Sequence, residues 1–375
     1  PLDASCLGNI ATTSINQKPG ARCAVRAKRR HAPVHRAAPS LRGSSFTPSG
    51  ARTPRPGLAA VAPEPAAGCV AVDPEDGRVL TASATCGMYG KIGLFQPQGD
   101  SQVVLPLRPT IEFRPQGAVT ACAFVGTLKD RAAVAHGGCG VVGVWNLNSG
   151  KQVWSLATHT SLVGVLSSRG SLLVTGSNDT TLFVWDVDKR LKLGALMGHT
   201  SLITAACVRP DCAGPRLAVS CAVDKACIVW NIDTNNLQTL ILNQKQVVRA
   251  IASTDDGCFF CTGDELGRVR VFLWDTGTFL CCTKPINESV VALSCPTLGS
   301  AACGGARGSA ALLRFDEVAD RVDFAGALLL PKSDRAVRLV YHTADDWVCA
   351  LDAGGALRAF DLSAKRAVPP AAADN

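Results

Sequence analysis

A unit that ends in an aromatic residue repeats seven times from about residue 60 onward, and this repeat constrains the fold more than any other feature. Each unit holds a hydrophobic run, a turn, a second run with small residues, a tight turn and a β-rich run. The closing aromatics lie 50, 40, 45, 42, 43 and 45 residues apart: Phe95, Trp145, Trp185, Trp230, Phe272, Phe315 and Phe360. A period of about 40–45 residues is typical of repeats that each build one four-stranded sheet.

The runs within a unit are too short and too rich in β-branched residues to be helices. In the third unit the pattern predicts strands near 162–168, 171–177, 180–187 and 192–197, joined by turns at Arg169-Gly170 and Asn178-Asp179. A single sheet of this kind exposes two apolar faces, whereas seven sheets arranged radially cover one another. We therefore predict an all-β, seven-bladed β-propeller over residues 59–370, followed by a short tail at 371–375.

The register of the fifth unit is ambiguous because two aromatic residues lie close together. Trp274-Asp275 resembles a repeat end, but Gly267 precedes Phe272 by five residues, just as Gly140 precedes Trp145. This spacing predicts that Phe272 closes the unit and that Trp274 is displaced by two positions.

Residues 1–58 differ in composition from the repeats. They carry ten Lys or Arg residues against one acid, Asp3, while the whole chain has a net charge of only +8, so the remainder is nearly neutral. Frequent proline and the lack of any periodicity predict a disordered basic segment or linker. A transit peptide and a nucleic-acid-binding arm are the alternatives. Base stacking is disfavoured because Phe46 is the only aromatic residue of the segment.

The 17 cysteines are odd in number and scattered through apolar runs, where a thiol behaves as a small hydrophobic side chain. We predict no structural disulfide and no zinc, since Cys258 and Cys261 form a Cys-x-x-Cys pair without a second pair. A reducing, cytoplasmic location follows, in which the glycosylation sequons at Asn178 and Asn287 stay unused. No run reaches the ~20 apolar residues of a transmembrane helix.

Four polar and aromatic positions recur together in the third and fourth units. In both, Asp lies six residues and Thr or Ser ten residues before the closing Trp, and a His precedes them: His159, Thr175, Asp179 and Trp185, then His199, Ser220, Asp224 and Trp230. These motifs resemble the WD40-repeat family. The resemblance implies a buried relay from the indole N–H to the hydroxyl, from the hydroxyl to His, and from His to Asp.

A Ser-His-Asp set is also the signature of a hydrolase, and a propeller-borne hydrolase is one alternative. A catalytic triad occurs once in a cleft, however, whereas this set recurs at the repeat period with a Trp attached. The glycine motif from Gly138 to Gly143 leads into a strand and not into a helix, so it does not predict a nucleotide site. We therefore predict no enzymatic activity, no cofactor and no metal.

A narrower resemblance covers the stretch from His159 to Ile232, about a fifth of the chain. It is similar to the C-terminal propeller of BEACH-domain proteins, the neurobeachin and lysosomal-trafficking group. The resemblance implies a role in membrane trafficking or autophagy.

These features predict a non-enzymatic scaffold that binds other proteins or peptides through the loops of the propeller. The contact surface is expected on the loops between second and third strands and on those joining successive blades, with these candidates: Tyr89, Thr160, Asn178, Thr200, Gln246 and Glu265. The alternative is an RNA- or chromatin-associated scaffold that uses the basic segment. Binding of nucleic acid or anionic membrane by that segment is expected to be weak.

Overall fold

The computed structural model describes the following residues: 67–72, 78–83, 91–95, 111–113, 115, 117–128, 130–138, 140–157, 159–210, 214–241, 245–297, 300–318, 321–330, 337–342, 347–352 and 357–361. Within these residues the regular structure consists of β-strands and contains no helix. All described strands lie in residues 52–375. The prediction of an all-β fold is confirmed.

The strands form successive sheets, each antiparallel and each in chain order. The first sheet holds β1 (Ala67–Val72), β2 (Val79–Ser83), β3 (Lys91–Phe95) and β4 (Ile111–Phe113). The second holds β5 (Val119–Val125), β6 (Arg131–His136), β7 (Val141–Asn146) and β8 (Gln152–Ala157). The third holds β9 (Val163–Arg169), β10 (Leu172–Ser177), β11 (Leu182–Asp186) and β12 (Leu191–Leu196). The fourth holds β13 (Ile203–Val208), β14 (Leu217–Ala222), β15 (Cys227–Asn231) and β16 (Asn236–Ile241).

The remaining sheets continue the same order. The fifth holds β17 (Val248–Ser253), β18 (Phe259–Asp264), β19 (Val269–Leu273) and β20 (Phe279–Thr283). The sixth holds β21 (Val290–Thr297), β22 (Ser300–Gly305), β23 (Ala310–Val318) and β24 (Arg321–Leu330). The seventh holds β25 (Val337–His342), β26 (Trp347–Asp352) and β27 (Leu357–Asp361). The described residues thus contain six four-stranded sheets and one of three strands, and a count of seven complete blades stays a prediction.

Burial changes systematically from the first to the fourth strand of a sheet. Every residue of β10, β14 and β18, the second strands of three successive sheets, is buried, whereas the fourth strands β8, β12 and β20 each have one buried residue and are otherwise half-buried or exposed. The second strand is covered on both faces by the neighbouring sheets, which explains its continuous apolar and small residues. The fourth strand is the outer edge.

The first strands of successive sheets lie against one another. β1 packs against β5, and the same relationship continues through β9, β13, β17, β21 and β25, which in turn packs against β1. The apolar clusters lie between neighbouring sheets, as where Val163 and Leu173 of the third sheet pack with Val142 of the second. This stacking of sheets, each burying the face of the next, is consistent with a WD40 propeller.

The closing aromatics occupy one structural position. In the second to sixth sheets the pairing of the third and fourth strands shifts register at this residue: Trp145, Trp185, Trp230, Phe272 and Phe315. All five are buried. The register predicted for the fifth sheet is confirmed, because Phe272 lies in β19 opposite Phe260 while Trp274 follows the strand.

The prediction of no structural disulfide is wrong. Cys221 of β14 and Cys227 of β15 are directly opposite in the hairpin, with Cα atoms 4.3 Å apart, and form a disulfide. An odd number of cysteines leaves at least one thiol unpaired but does not exclude a local pair, and the strand register brings these two together. Eight other described cysteines are free: Cys69, Cys122, Cys207, Cys261, Cys281, Cys282, Cys295 and Cys303.

Several predictions from the sequence concern residues outside the described part. The basic segment 1–58, the candidate Tyr89 and the tail at 371–375 all lie there. The proposed domain boundaries at 59 and 370 therefore stay predictions. Among the described residues, no helix has the length and apolar character needed to cross a membrane.

Candidate functional site

The third sheet brings its four predicted relay residues into one chain of hydrogen bonds. Trp185 Nε1 donates to Thr175 Oγ1 over 3.3 Å, and Thr175 Oγ1 lies 2.8 Å from His159 Nε2. His159 Nδ1 lies 3.0 Å from Asp179 Oδ2. Trp185, Thr175 and His159 are buried, so each polar group needs a partner inside the protein, and the chain supplies it.

The fourth sheet repeats the arrangement with a serine. Trp230 Nε1 donates to Ser220 Oγ over 2.8 Å, and Ser220 Oγ lies 2.8 Å from His199 Nε2. His199 Nδ1 lies 2.9 Å from Asp224 Oδ2. The strand positions explain the repeat: Thr175 and Ser220 lie in the second strand, Trp185 and Trp230 in the third.

The protonation state of the third-sheet relay follows from its surroundings. Burial lowers the pKa of His159, and it outweighs the opposing effect of Asp179. A neutral imidazole fits both contacts, because Nδ1–H donates to Asp179 while Nε2 accepts the Thr175 O–H. Burial alone would raise the pKa of Asp179, but hydrogen bonds from Thr181, Thr160 and His159 hold it at about 2.

The corresponding carboxylate of the fourth sheet is tuned in the same direction. Burial acts to raise the pKa of Asp224, but hydrogen bonds from the backbone N–H groups of Ala226 and Thr200 and from His199 lower it. Both relay aspartates are therefore held in the ionised form.

These contacts do not make Ser220 a nucleophile. Its side chain has 0 % exposure, and its oxygen already accepts the indole N–H of Trp230. A substrate carbonyl has no path to the oxygen, and the third sheet holds Thr175 in the equivalent contacts. The recurrent set therefore joins strands within a sheet and does not form an acyl-transfer site.

Each relay aspartate also holds two loops together. Asp179 Oδ2 accepts the backbone N–H of Thr160 over 2.9 Å, and its Oδ1 accepts the Thr181 hydroxyl over 2.6 Å. Asp224 Oδ2 likewise accepts the backbone N–H of Thr200 over 2.9 Å. The loop entering each sheet is thus fixed to the turn between its second and third strands.

A backbone hydrogen bond repeats this connection in five sheets. The first N–H of each turn between second and third strands donates to a carbonyl of the loop entering that sheet. The pairs are Gly137 to Ala118, Asn178 to Leu162, Val223 to Leu202, Glu265 to Val247 and Ala306 to Ser289. These turns and entering loops together form one surface, which we call the loop face.

Five of the six partner-binding candidates lie on the loop face within the described residues. Thr160, Asn178 and Thr200 are exposed, and Gln246 is half-buried. Glu265 is half-buried and accepts from Arg249 Nη2 over 2.7 Å, so its charge is already paired. That these residues contact a partner stays a prediction.

The fifth sheet carries a charged network that sequence reasoning missed. Asp264 is fully buried, and its Oδ2 lies 2.7 Å from Arg268 Nε and 3.2 Å from Arg270 Nη1. Asp264 lies eight residues before Phe272, just as Ser177 lies eight residues before Trp185. Aligning the repeats would therefore have shown a charged residue at a position that is buried in the third sheet. The fifth sheet thus has this charged network, whereas the third and fourth sheets, which close on a Trp, have the relay.

The cysteine pair considered for zinc is divided by the fold. Cys261 is buried, with its Sγ 3.6 Å from Cys295 Sγ, whereas Cys258 is half-buried. The hydrogen bond with Cys295, together with burial, raises the pKa of the Cys261 thiol. No group of three or more His, Cys, Asp or Glu side chains suited to a metal occurs in the part of the chain that the structure describes.

Comparison with known proteins supports the broader of the two resemblances. Residues 150–186, which hold the complete third-sheet relay, match the family model described as WD domain, G-beta repeat. Nuclear distribution protein PAC1 of Komagataella phaffii (strain GS115 / ATCC 20864) is 31 % identical over 110 residues, covering 28 % of this chain and 22 % of that protein. Telomerase protein component 1 of Mus musculus is 29 % identical over 163 residues, covering 42 % and 6 % respectively.

The chain therefore spans less than a quarter of the length of these two curated relatives. It carries a WD40 repeat and resembles WD-repeat proteins. These matches give no support to the narrower resemblance to BEACH-domain proteins, which stays a prediction.

Proposed function

We propose that this protein is a non-enzymatic scaffold that binds other proteins or peptides through the loop face. The observation that carries the proposal is the double use of Asp179 and Asp224. Each carboxylate completes a buried relay and also fixes an entering loop beside a turn. A rigid loop surface loses little conformational entropy on binding, which favours affinity.

The exposed residues of the loop face suit this role. Thr160 and Thr200 each follow a relay histidine directly, and their backbone N–H groups are held by the aspartates. Their side chains and that of Asn178 are exposed, so adaptable hydrogen-bonding groups are displayed on a fixed backbone.

The WD40 repeat at residues 150–186 supports the proposal, since repeats of this family generally build protein-interaction scaffolds. A cytoplasmic location is part of the proposal: eight free cysteines of the described part support it, and the Cys221–Cys227 disulfide opposes it. A role in membrane trafficking or autophagy rests on the BEACH-domain resemblance alone.

The experiment is affinity capture of partners by the full chain, followed by binding measurements on variants. Thr160→Arg, Asn178→Arg and Thr200→Arg combined places bulk and charge on the loop face without removing a side-chain contact of the relays. Asn148→Arg, Ser149→Arg and Thr234→Arg combined is the matched control, because these exposed residues lie in turns between third and fourth strands.

We expect the first variant to weaken binding at least about tenfold and the control to leave it unchanged. The opposite pattern would place the contact surface at the other loops. Release of the captured protein by ribonuclease would instead favour the RNA-associated scaffold.

A further inference from the structure

Unpaired cations are concentrated on one part of the loop face. Lys225 lies in the turn between β14 and β15, Arg307 in that between β22 and β23, and Lys245 and Lys284 in the loops entering the fifth and sixth sheets. All four are exposed, and none forms an ion pair within the described residues. We call these four residues the basic patch.

The acids of the same loops are already engaged. Asp224 belongs to the fourth-sheet relay, and Glu265 pairs with Arg249. Asp264 is buried between two arginines, and buried Glu288 accepts the backbone N–H of Ser309 over 2.8 Å. None of these carboxylates forms an ion pair with a cation of the basic patch among the described residues. The four cations also outnumber the two acids that are not paired with an arginine, Asp224 and Glu288, so the patch keeps a net positive charge.

Contacts between sheets make the patch continuous. Thr204 Oγ1 of the fourth sheet donates to the Val248 carbonyl of the fifth over 2.6 Å. The turn at Gly267 lies against the backbone carbonyls of Ile286 and Glu288 in the loop entering the sixth sheet. The loops of the fourth, fifth and sixth sheets are therefore neighbours on one surface.

Apolar side chains lie among the cations. Leu202, whose carbonyl accepts from the turn that holds Lys225, is 38 % exposed, and Leu266 in the next turn is 47 % exposed. The described loop-face residues of the second and third sheets include no Lys or Arg. The basic and apolar character is thus local to one side of the loop face.

We propose that the basic patch, with Leu202 and Leu266, binds an acidic segment of a partner protein that also carries apolar side chains. The inference rests on the proposed function and specifies the chemistry of the partner. Carboxylates of an extended segment pair with cations spaced along several loops, and its apolar groups cover the two leucines. Single-stranded nucleic acid fits less well, because none of the described loop residues around the patch is an exposed aromatic on which bases stack.

The test pans a displayed library of random peptides on the immobilised full chain and measures affinities of synthetic copies of the enriched peptides. The test variant combines Lys225→Glu, Lys245→Glu and Arg307→Glu. The control combines Lys151→Glu, Lys189→Glu and Arg190→Glu, exposed cations at turns between third and fourth strands. Both variants retain residues 1–58 and change the net charge equally, and each alters one residue at positive φ, Lys225 or Arg190.

We expect enrichment of acidic peptides that contain leucine or aromatic residues. Their affinity should fall at least about tenfold in the test variant and stay unchanged in the control. Peptides that need the loop face but are neutral or basic would overturn this inference and leave the proposed function standing. Enriched peptides whose affinity is unchanged in every loop-face variant would contradict both this inference and the proposed function. Tighter binding of poly(U) RNA or phosphatidylserine vesicles at the patch would replace the acidic protein segment with that ligand.

Discussion

The Thr262 hydroxyl of the fifth sheet holds the position of the Thr175 hydroxyl of the third, but it has no hydrogen-bond partner among the described residues. Each threonine lies ten residues before the closing aromatic residue of its sheet. Thr175 pairs with Phe183 and Thr262 with Arg270, and each of these partners lies two residues before that aromatic residue. The closing residue of the fifth sheet is Phe272, whose ring has no N–H, and Gln244 stands four residues before the first strand, as His159 does in the third sheet. The fifth sheet therefore has the hydroxyl of the relay without its Trp or His.

We predict that Thr262→Val stabilises the protein by about 1 kcal/mol, because valine keeps the shape and removes a buried hydroxyl without a partner. Thr175→Val should instead cost about 1–3 kcal/mol, since it strands the indole of Trp185 and the imidazole of His159. Urea denaturation of the two variants measures both effects. Equal destabilisation would show that the two hydroxyls are equivalent.

The fourth-sheet relay predicts a graded series at Trp230. Trp230→Ala should cost about 3–5 kcal/mol by leaving a cavity, whereas Trp230→Phe keeps most of the volume and should cost less. His199→Ala should cost about 1–3 kcal/mol because it leaves Ser220 without one partner. Thermal unfolding with wild-type midpoints in all three variants is the outcome that rejects the relay.

Acidification should destabilise the third sheet in two steps. Burial lowers the pKa of His159 in the folded protein. On acidification the imidazole therefore binds its proton at a higher pH in the unfolded chain than in the folded one, and the free energy of unfolding falls as the pH drops below about 6.5. Asp179 has a pKa of about 2, so its contribution is lost between about pH 3.9 and pH 2.

The measurement is the free energy of unfolding at pH values from about 7 to 5. His159→Gln, which introduces the residue found at this place in the fifth sheet, should have a shallower pH dependence over this range than the wild type. An unchanged slope would mean that His159 titrates alike in the folded and unfolded chains.

The hairpin disulfide makes stability depend on reductant. It closes a short loop, with the two cysteines six positions apart, and should contribute about 2 kcal/mol by restricting the unfolded chain. The melting temperature should therefore fall on reduction, and Cys221→Ala/Cys227→Ala should melt near the reduced protein without responding to reductant. An equal melting temperature of the wild type with and without reductant would show that the disulfide does not contribute to stability.

The strands and the relay residues were accessible from the sequence because both follow from periodicity and local chemistry. The sequence pattern predicts strands near 171–177 and 192–197, and both ends of β10 and β12 lie within one residue of those bounds. The hydroxyl and Asp positions of each relay lie ten and six residues before the closing Trp and a His precedes them, and the structure brings all eight residues into the two relays.

Features that depend on pairing across strands or sheets were not accessible. Cys221 and Cys227 become partners only through the register of β14 with β15. The Asp264 network and the basic patch arise because several turns, far apart in sequence, lie side by side. Composition alone shows a nearly neutral repeat region and hides this local charge.

The most direct test of the account is hydrogen–deuterium exchange of the full chain with and without a captured partner. We predict slower exchange on binding in the loop-face segments 159–162, 178–181, 199–202, 223–226 and 264–268. The turns at 147–150 and 187–190, between third and fourth strands, should exchange at the same rate in both states. Protection confined to those turns or to the outer strands β12, β16 and β20 would contradict the loop face as the binding surface.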